Sequence, residues 1–89
     1  MKTIWKFPLQ ITGCLVITMP EDAEILCVQV QMDAPYIWAL VDPSAGKEPR
    51  SFRMFGTGHP IETGIDYTYI GTFQVHGGSL VFHLFEFKP

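Results

Sequence analysis

Charge is what this chain has least of. Of its 89 residues only 17% are Asp, Glu, Lys or Arg, against 47% hydrophobic and 13% aromatic. The six basic residues, Lys2, Lys6, Lys47, Arg50, Arg53 and Lys88, are scattered, and the net charge is −3. Duplex binding draws its affinity from many neutralised phosphates, so this distribution argues against a sequence-independent binder of duplex nucleic acid. A small anionic ligand needs only one or two cations. Cysteine is equally scarce: Cys14 and Cys27 are too few for a disulfide framework, and no second pair with metal-ligand spacing accompanies them. They are expected to be buried free thiols, because free Cys packs as a small apolar residue. No hydrophobic run approaches a membrane span. Lys6 and Pro8 interrupt the opening MKTIWKFPLQ where an export signal needs its apolar segment, so the cytosol is the expected compartment.

Helical periodicity is also missing over any three turns. In its place, short apolar runs recur about every ten residues, broken by Gly, Pro and Asp, which reads as one all-β domain over residues 1–89. Lys2 to Leu9 alternates Thr3, Trp5, Phe7 and Leu9 against Lys2, Ile4 and Lys6, with Pro8 marking an edge. Cys14 to Met19 follows, then Ile25 to Gln31, in which Leu26, Val28 and Val30 oppose Cys27, Gln29 and Gln31. Tyr36 to Val41 is apolar throughout and reads as a central strand covered on both sides. Asp42 to Pro49 reads as a loop, and Ser51 to Phe55 as the next strand.

The last third specifies more. Tyr67 to Val75 and Leu80 to Phe87 flank His76-Gly77-Gly78-Ser79, and a Gly-Gly pair supplies the positive φ angles of a type I′ turn. Counting outward sets Val75 against Leu80, Phe73 against Phe82 and Thr72 against His83. Phe73, Val75, Phe82 and Leu84 then share a core face, with Thr72, Gln74 and His83 on a polar one. Six to seven short strands without a helix fit a compact antiparallel sandwich or partly closed barrel, ending in this hairpin at Gly77-Gly78. A single helical turn has room only at Pro20–Ala23 or Pro43–Ala45.

The stretch GTGHPIETG, residues 56–64, holds three glycines, two threonines and a histidine. A phosphate loop needs converging backbone N–H groups at a helix start, yet Pro60 removes one donor, no helix follows, and no Walker lysine is present. It is either a strand-exit loop or a pocket wall formed by Thr57, Gly58 and His59. His59, His76 and His83 suit zinc by type but not by spacing, and no metal is expected within one chain. No nucleophile stands in a catalytic context, and the carboxylates read as solvated loop charges, so no enzyme and no cofactor are expected. Aromatic residues are numerous, and flat rings beside Arg50 or Arg53 suit a base and its phosphate; core and oligomer contact is the plainer reading. So lean a polar coat points to self-association, a homo-oligomer.

MKTIWKFPLQ, ILCVQVQ, WALVDP, RMFGTGHPI and IGTFQVHGGSLVFHLFE together resemble a family of short uncharacterised proteins encoded in tailed-bacteriophage and prophage genomes. The resemblance implies an accessory protein acting in the host bacterial cytoplasm and brings no catalytic residues with it. By analogy of size and context, the expected role is counter-defence by sequestering a nucleotide-derived signal. Arg50, Arg53, Thr57, Gly58, His59 and Trp38 are the residues expected to hold such a ligand. The alternatives are a module that docks on a host protein, and a structural or assembly component.

Overall fold

The structure, a computed structural model, covers residues 1–89. Its seven strands are β1 (Thr3–Pro8), β2 (Cys14–Pro20), β3 (Glu24–Gln31), β4 (Ala34–Val41), β5 (Lys47–Gly56), β6 (Tyr67–Val75) and β7 (Leu80–Phe87), with no helix. They form a three-stranded sheet in the order β1-β4-β3 and a four-stranded sheet in the order β2-β5-β7-β6, every pairing antiparallel. The sheets stack as a sandwich 16 Å in its shortest dimension and do not close into a barrel. No helix is long and apolar enough to cross a membrane.

Alternation decides what fills the interior. Ile37, Ala39 and Val41 of β4 meet Phe52 and Met54 of β5, Phe73 and Val75 of β6, and Leu84 of β7 in one core cluster. β4 is central in its sheet, as expected, but only one of its faces is covered. Tyr36, Trp38 and Leu40 point outward and are half-buried, because no further layer covers the outer surface of this sheet. The same parity corrects the expectation for the thiols: both cysteines are free, but Cys14 is exposed and Cys27 half-buried. Cys14 pairs with Arg53 and Cys27 with Trp38, both on outward-facing rows.

β5 starts earlier than the sequence indicates and takes in Pro49. Pro49 is tolerated because the β5–β7 ladder begins only at Ser51↔Phe87, so no partner on that side requires its missing N–H. In the C-terminal hairpin, Val75↔Leu80, Phe73↔Phe82, Thr72↔His83 and Gly71↔Leu84 all pair as counted from the turn. The positive φ run at its tip is one residue longer than the glycine pair, with His76 at 55°, Gly77 at 65° and Gly78 at 91°.

Two bulges depart from simple alternation. One inserts Leu26 between the pairs Ile25↔Ala39 and Cys27↔Trp38, which turns Leu26 outward and gives its expected core position to Ile25. The other inserts Ile70 between Tyr69↔Phe85 and Gly71↔Leu84. At Gly71 the two sheets come close: a Cβ there would lie 2.6 Å from Cγ1 of Val28, so β3 and β6 approach this closely here because the side chain is absent. Pro20–Ala23 and Asp42–Ala45 are reverse turns rather than helical ones, closed by Ala23 N–H to Pro20 O (3.2 Å) and Ala45 N–H to Asp42 O (3.1 Å).

Candidate functional site

β5 and β6 are each antiparallel to β7, which lies between them, so they run parallel to each other. The chain must therefore return from Gly56 to the far end of the sheet, where Tyr67 pairs with Phe87. Residues 57–66 make that crossover, and they contain most of GTGHPIETG. The stretch opens as a reverse turn: His59 N–H donates to Gly56 O at 3.1 Å, and Gly58 takes φ +86° at the third position, where glycine is favoured. The His59 ring lies against Gly56, where a Cβ would come within 2.8 Å of it.

The crossover passes over the outer face of the four-stranded sheet. Phe55, Phe85, Phe87, Tyr67 and Tyr69 form a connected ring cluster there, with centroid separations from 5.4 Å for Tyr69–Phe85 to 5.9 Å for Tyr67–Phe85. These are edge-on or tilted contacts of the kind that aromatic quadrupoles favour. Phe55 is buried beneath them, whereas Tyr69 is 57% exposed.

Two polar networks frame the rings. In the first, Glu62 of the crossover accepts from Arg53 Nη1 at 3.2 Å and from the Tyr67 hydroxyl at 3.0 Å, while the Arg53 guanidinium stacks 4.8 Å from the centre of Phe55. Glu62's own backbone N–H, the Tyr67 hydroxyl and Arg53 hold its carboxyl below the ordinary 4.5. Desolvation, then the bond to Glu62 and its charge, push the Tyr67 phenol above 10.0. In the second network, His83 Nε2 meets the Thr57 hydroxyl at 2.8 Å and His83 Nδ1 meets the Thr72 hydroxyl at 2.9 Å, with Tyr69 a further 2.6 Å from Thr72. In a neutral ring one nitrogen donates and the other accepts, so both are engaged. The Ile70 bulge makes this chain possible, since Tyr69 and Thr72, three apart, would otherwise face opposite ways.

Arg50 is elsewhere. Three residues from Arg53 on one strand, it projects from the inner face at the open end of the sandwich. It binds both oxygens of Glu86, with Nη2 to Oε1 at 3.0 Å, and donates from Nη1 to Ala23 O at 2.9 Å. This pairing raises the pKa of Arg50, chiefly through the hydrogen bonds to Glu86. Arg50 floors a cleft of about 660 Å³ that also meets Asp22, Glu48, Asp66 and Lys88. Trp38 lies on the outer face of the other sheet, with Lys6 Nζ 5.6 Å from its ring. Of the six residues singled out from sequence, Arg53 and Thr57 thus share the outer face, with Gly58 in the turn next to Thr57; the His59 ring lies where an inward-pointing Cβ of Gly56 would stand, and Arg50 and Trp38 are apart. No group of three or more His, Cys, Asp or Glu side chains is placed to hold a metal.

Sequence reasoning gave no role to Glu62 or Glu86. Parity carried back from Ser51–Phe55 to Arg50 is a signal that separates the two arginines, but nothing in the sequence reports the path of the crossover that brings Glu62 to Arg53. Residues 1–89 match a family model described as a domain of unknown function, DUF7352. No curated protein and no solved structure matches the chain.

Proposed function

This chain belongs to the DUF7352 family, and from that premise we propose that it is a non-catalytic phage or prophage accessory protein that docks on a host protein in the bacterial cytoplasm. The docking surface is the outer face of the four-stranded sheet. One observation carries this reading: Arg53, the arginine on this face, is already held by Glu62. The face is left nearly neutral and aromatic, with Tyr69 and Val16 exposed on it and Ile61 and Ile65 exposed on the crossover. Aromatic and apolar groups with a polar frame suit a protein partner, whereas a phosphate would have to displace Glu62 from Arg53.

A second reading, sequestration of a nucleotide-derived ligand as a counter-defence function, has its own support. Arg53 stacks on Phe55 in the ring cluster, and a base on Tyr69 or Phe85 would place its phosphate toward Arg53. Capture from host lysate followed by reconstitution with the purified candidate separates the two. A defined host protein that binds the wild type, and binds Tyr69→Ala at least about tenfold more weakly, supports docking. A rise in melting temperature with cyclic dinucleotides or ADP-ribose derivatives, lost in Arg53→Ala, replaces docking with sequestration.

A further inference from the structure

An open sandwich exposes four strand edges, and proteins protect such edges with charges, prolines or bulges. β1 carries Lys6 and Pro8. β3 and β6 each contain a bulge, at Leu26 and Ile70, and they also close on each other across the sandwich. β2, with the sequence CLVITMP, has no charge and no bulge, and its one proline is its last residue.

The backbone of β2 can be assigned group by group. Met54 N–H bonds Gly13 O at 3.1 Å and Glu21 N–H bonds Gly46 O at 2.8 Å, both in register with the β2–β5 ladder. Odd-numbered residues of β2 therefore direct their N–H and C=O toward β5, and Cys14, Val16 and Thr18 direct theirs outward. All three are exposed, Val16 by 63%. Pro20, the next even position, has no N–H to offer and ends the run. On the inner face, Leu15 and Ile17 pack against the core yet remain only half-buried.

The geometry points to β2 as the seam along which two copies of this chain pair, antiparallel about a two-fold axis at Val16. Val16 lies opposite Val16 of the second copy, and Cys14 opposite its Thr18. Each of the three outward residues exchanges both backbone bonds. Leu15 meets Ile17 of the second copy on the inner face, which completes the burial that one chain leaves unfinished. The two four-stranded sheets become one continuous sheet with both aromatic faces on the same side. The seam is about 17 Å long, the five residues Cys14–Thr18 at ~3.4 Å each, and the body is 16 Å deep. A footprint of roughly 270 Å² per copy lies below the usual size of a stable specific interface, so the dimer is weak and reversible on dilution. This inference does not depend on the proposed docking partner.

Sedimentation velocity of the full chain across micromolar to millimolar concentration, with circular dichroism to verify folding, tests the pairing. The wild type is expected to shift from monomer to dimer. Val16→Lys and Val16→Glu, which set like charges side by side on the axis, should each weaken the dimer at least about tenfold with an unchanged spectrum. An equimolar mixture of the two should recover the dimer. A wild type that stays monomeric throughout, or a dimer that both variants leave intact, overturns the inference. So does failure of the folded variants to recover on mixing, because the axis then lies elsewhere.

Discussion

Glu62 lies in a connection between strands, half open to water, yet its two oxygens accept from side chains on β5 and β6. Its folded-state pKa is lowered, so its contribution to stability is present above the ordinary value of 4.5 and disappears as pH falls through the lower folded value. Wild type should therefore melt above Glu62→Gln near neutrality, and the two melting curves should converge on acidification below 4.5. A gap that stays constant with pH would show that the charge is not what the site recognises. Tyr67 acts on the opposite limb: its raised pKa keeps the phenol a donor up to and beyond the ordinary 10.0. Nothing in the sequence singles out Glu62 from the other loop carboxylates, because its partners are set by the crossover path. The two arginines differ in this respect. Once both lie on one strand, a separation of three puts them on opposite faces, and the expectation of one shared pocket does not survive that count.

Among the elements, the C-terminal hairpin is the most legible and the bulges the least. Gly77-Gly78 fixes a turn, the turn fixes a register, and the register places Thr72 against His83 before any coordinate is known. Nothing comparable marks Leu26 or Ile70, since an inserted residue changes pairing without changing composition. Gly71, next to the second bulge, links two elements directly. Gly71→Ala would drive a Cβ to 2.6 Å from Cγ1 of Val28, a stiff branched side chain, and should cost about 1–3 kcal/mol in chemical denaturation. Val28→Ala removes the obstructing atom. In a double-mutant cycle the pair should cost less than the sum of the singles, by about 1 kcal/mol. Additive costs would mean that β3 and β6 do not meet through these two residues.

For the whole molecule, alternation specifies that each sheet has one buried face but not whether the sheets stack or curl, so sandwich and barrel read alike in the sequence. The larger contributions to stability come from the shared core. Leu84 is fully buried in β7, and Leu84→Ala should cost roughly 2–5 kcal/mol, a large share of the ~5–15 kcal/mol that holds a domain folded. Its melting temperature should fall by about 8 °C or more. Ile4→Ala, on an outer face that is 57% exposed there, should stay within about 0.5 kcal/mol of wild type.

β7 comes last of the seven strands yet lies between β5 and β6 in the larger sheet. That sheet cannot grow in the order in which the chain is made. β5 waits beside an empty lane, and the crossover has nothing to arch over, until β6 and β7 zip up through their short turn and slide in together. The long-range docking of a preformed hairpin is thus the natural slow step of folding, and it is where an incompletely folded chain would leave its aromatic rings bare.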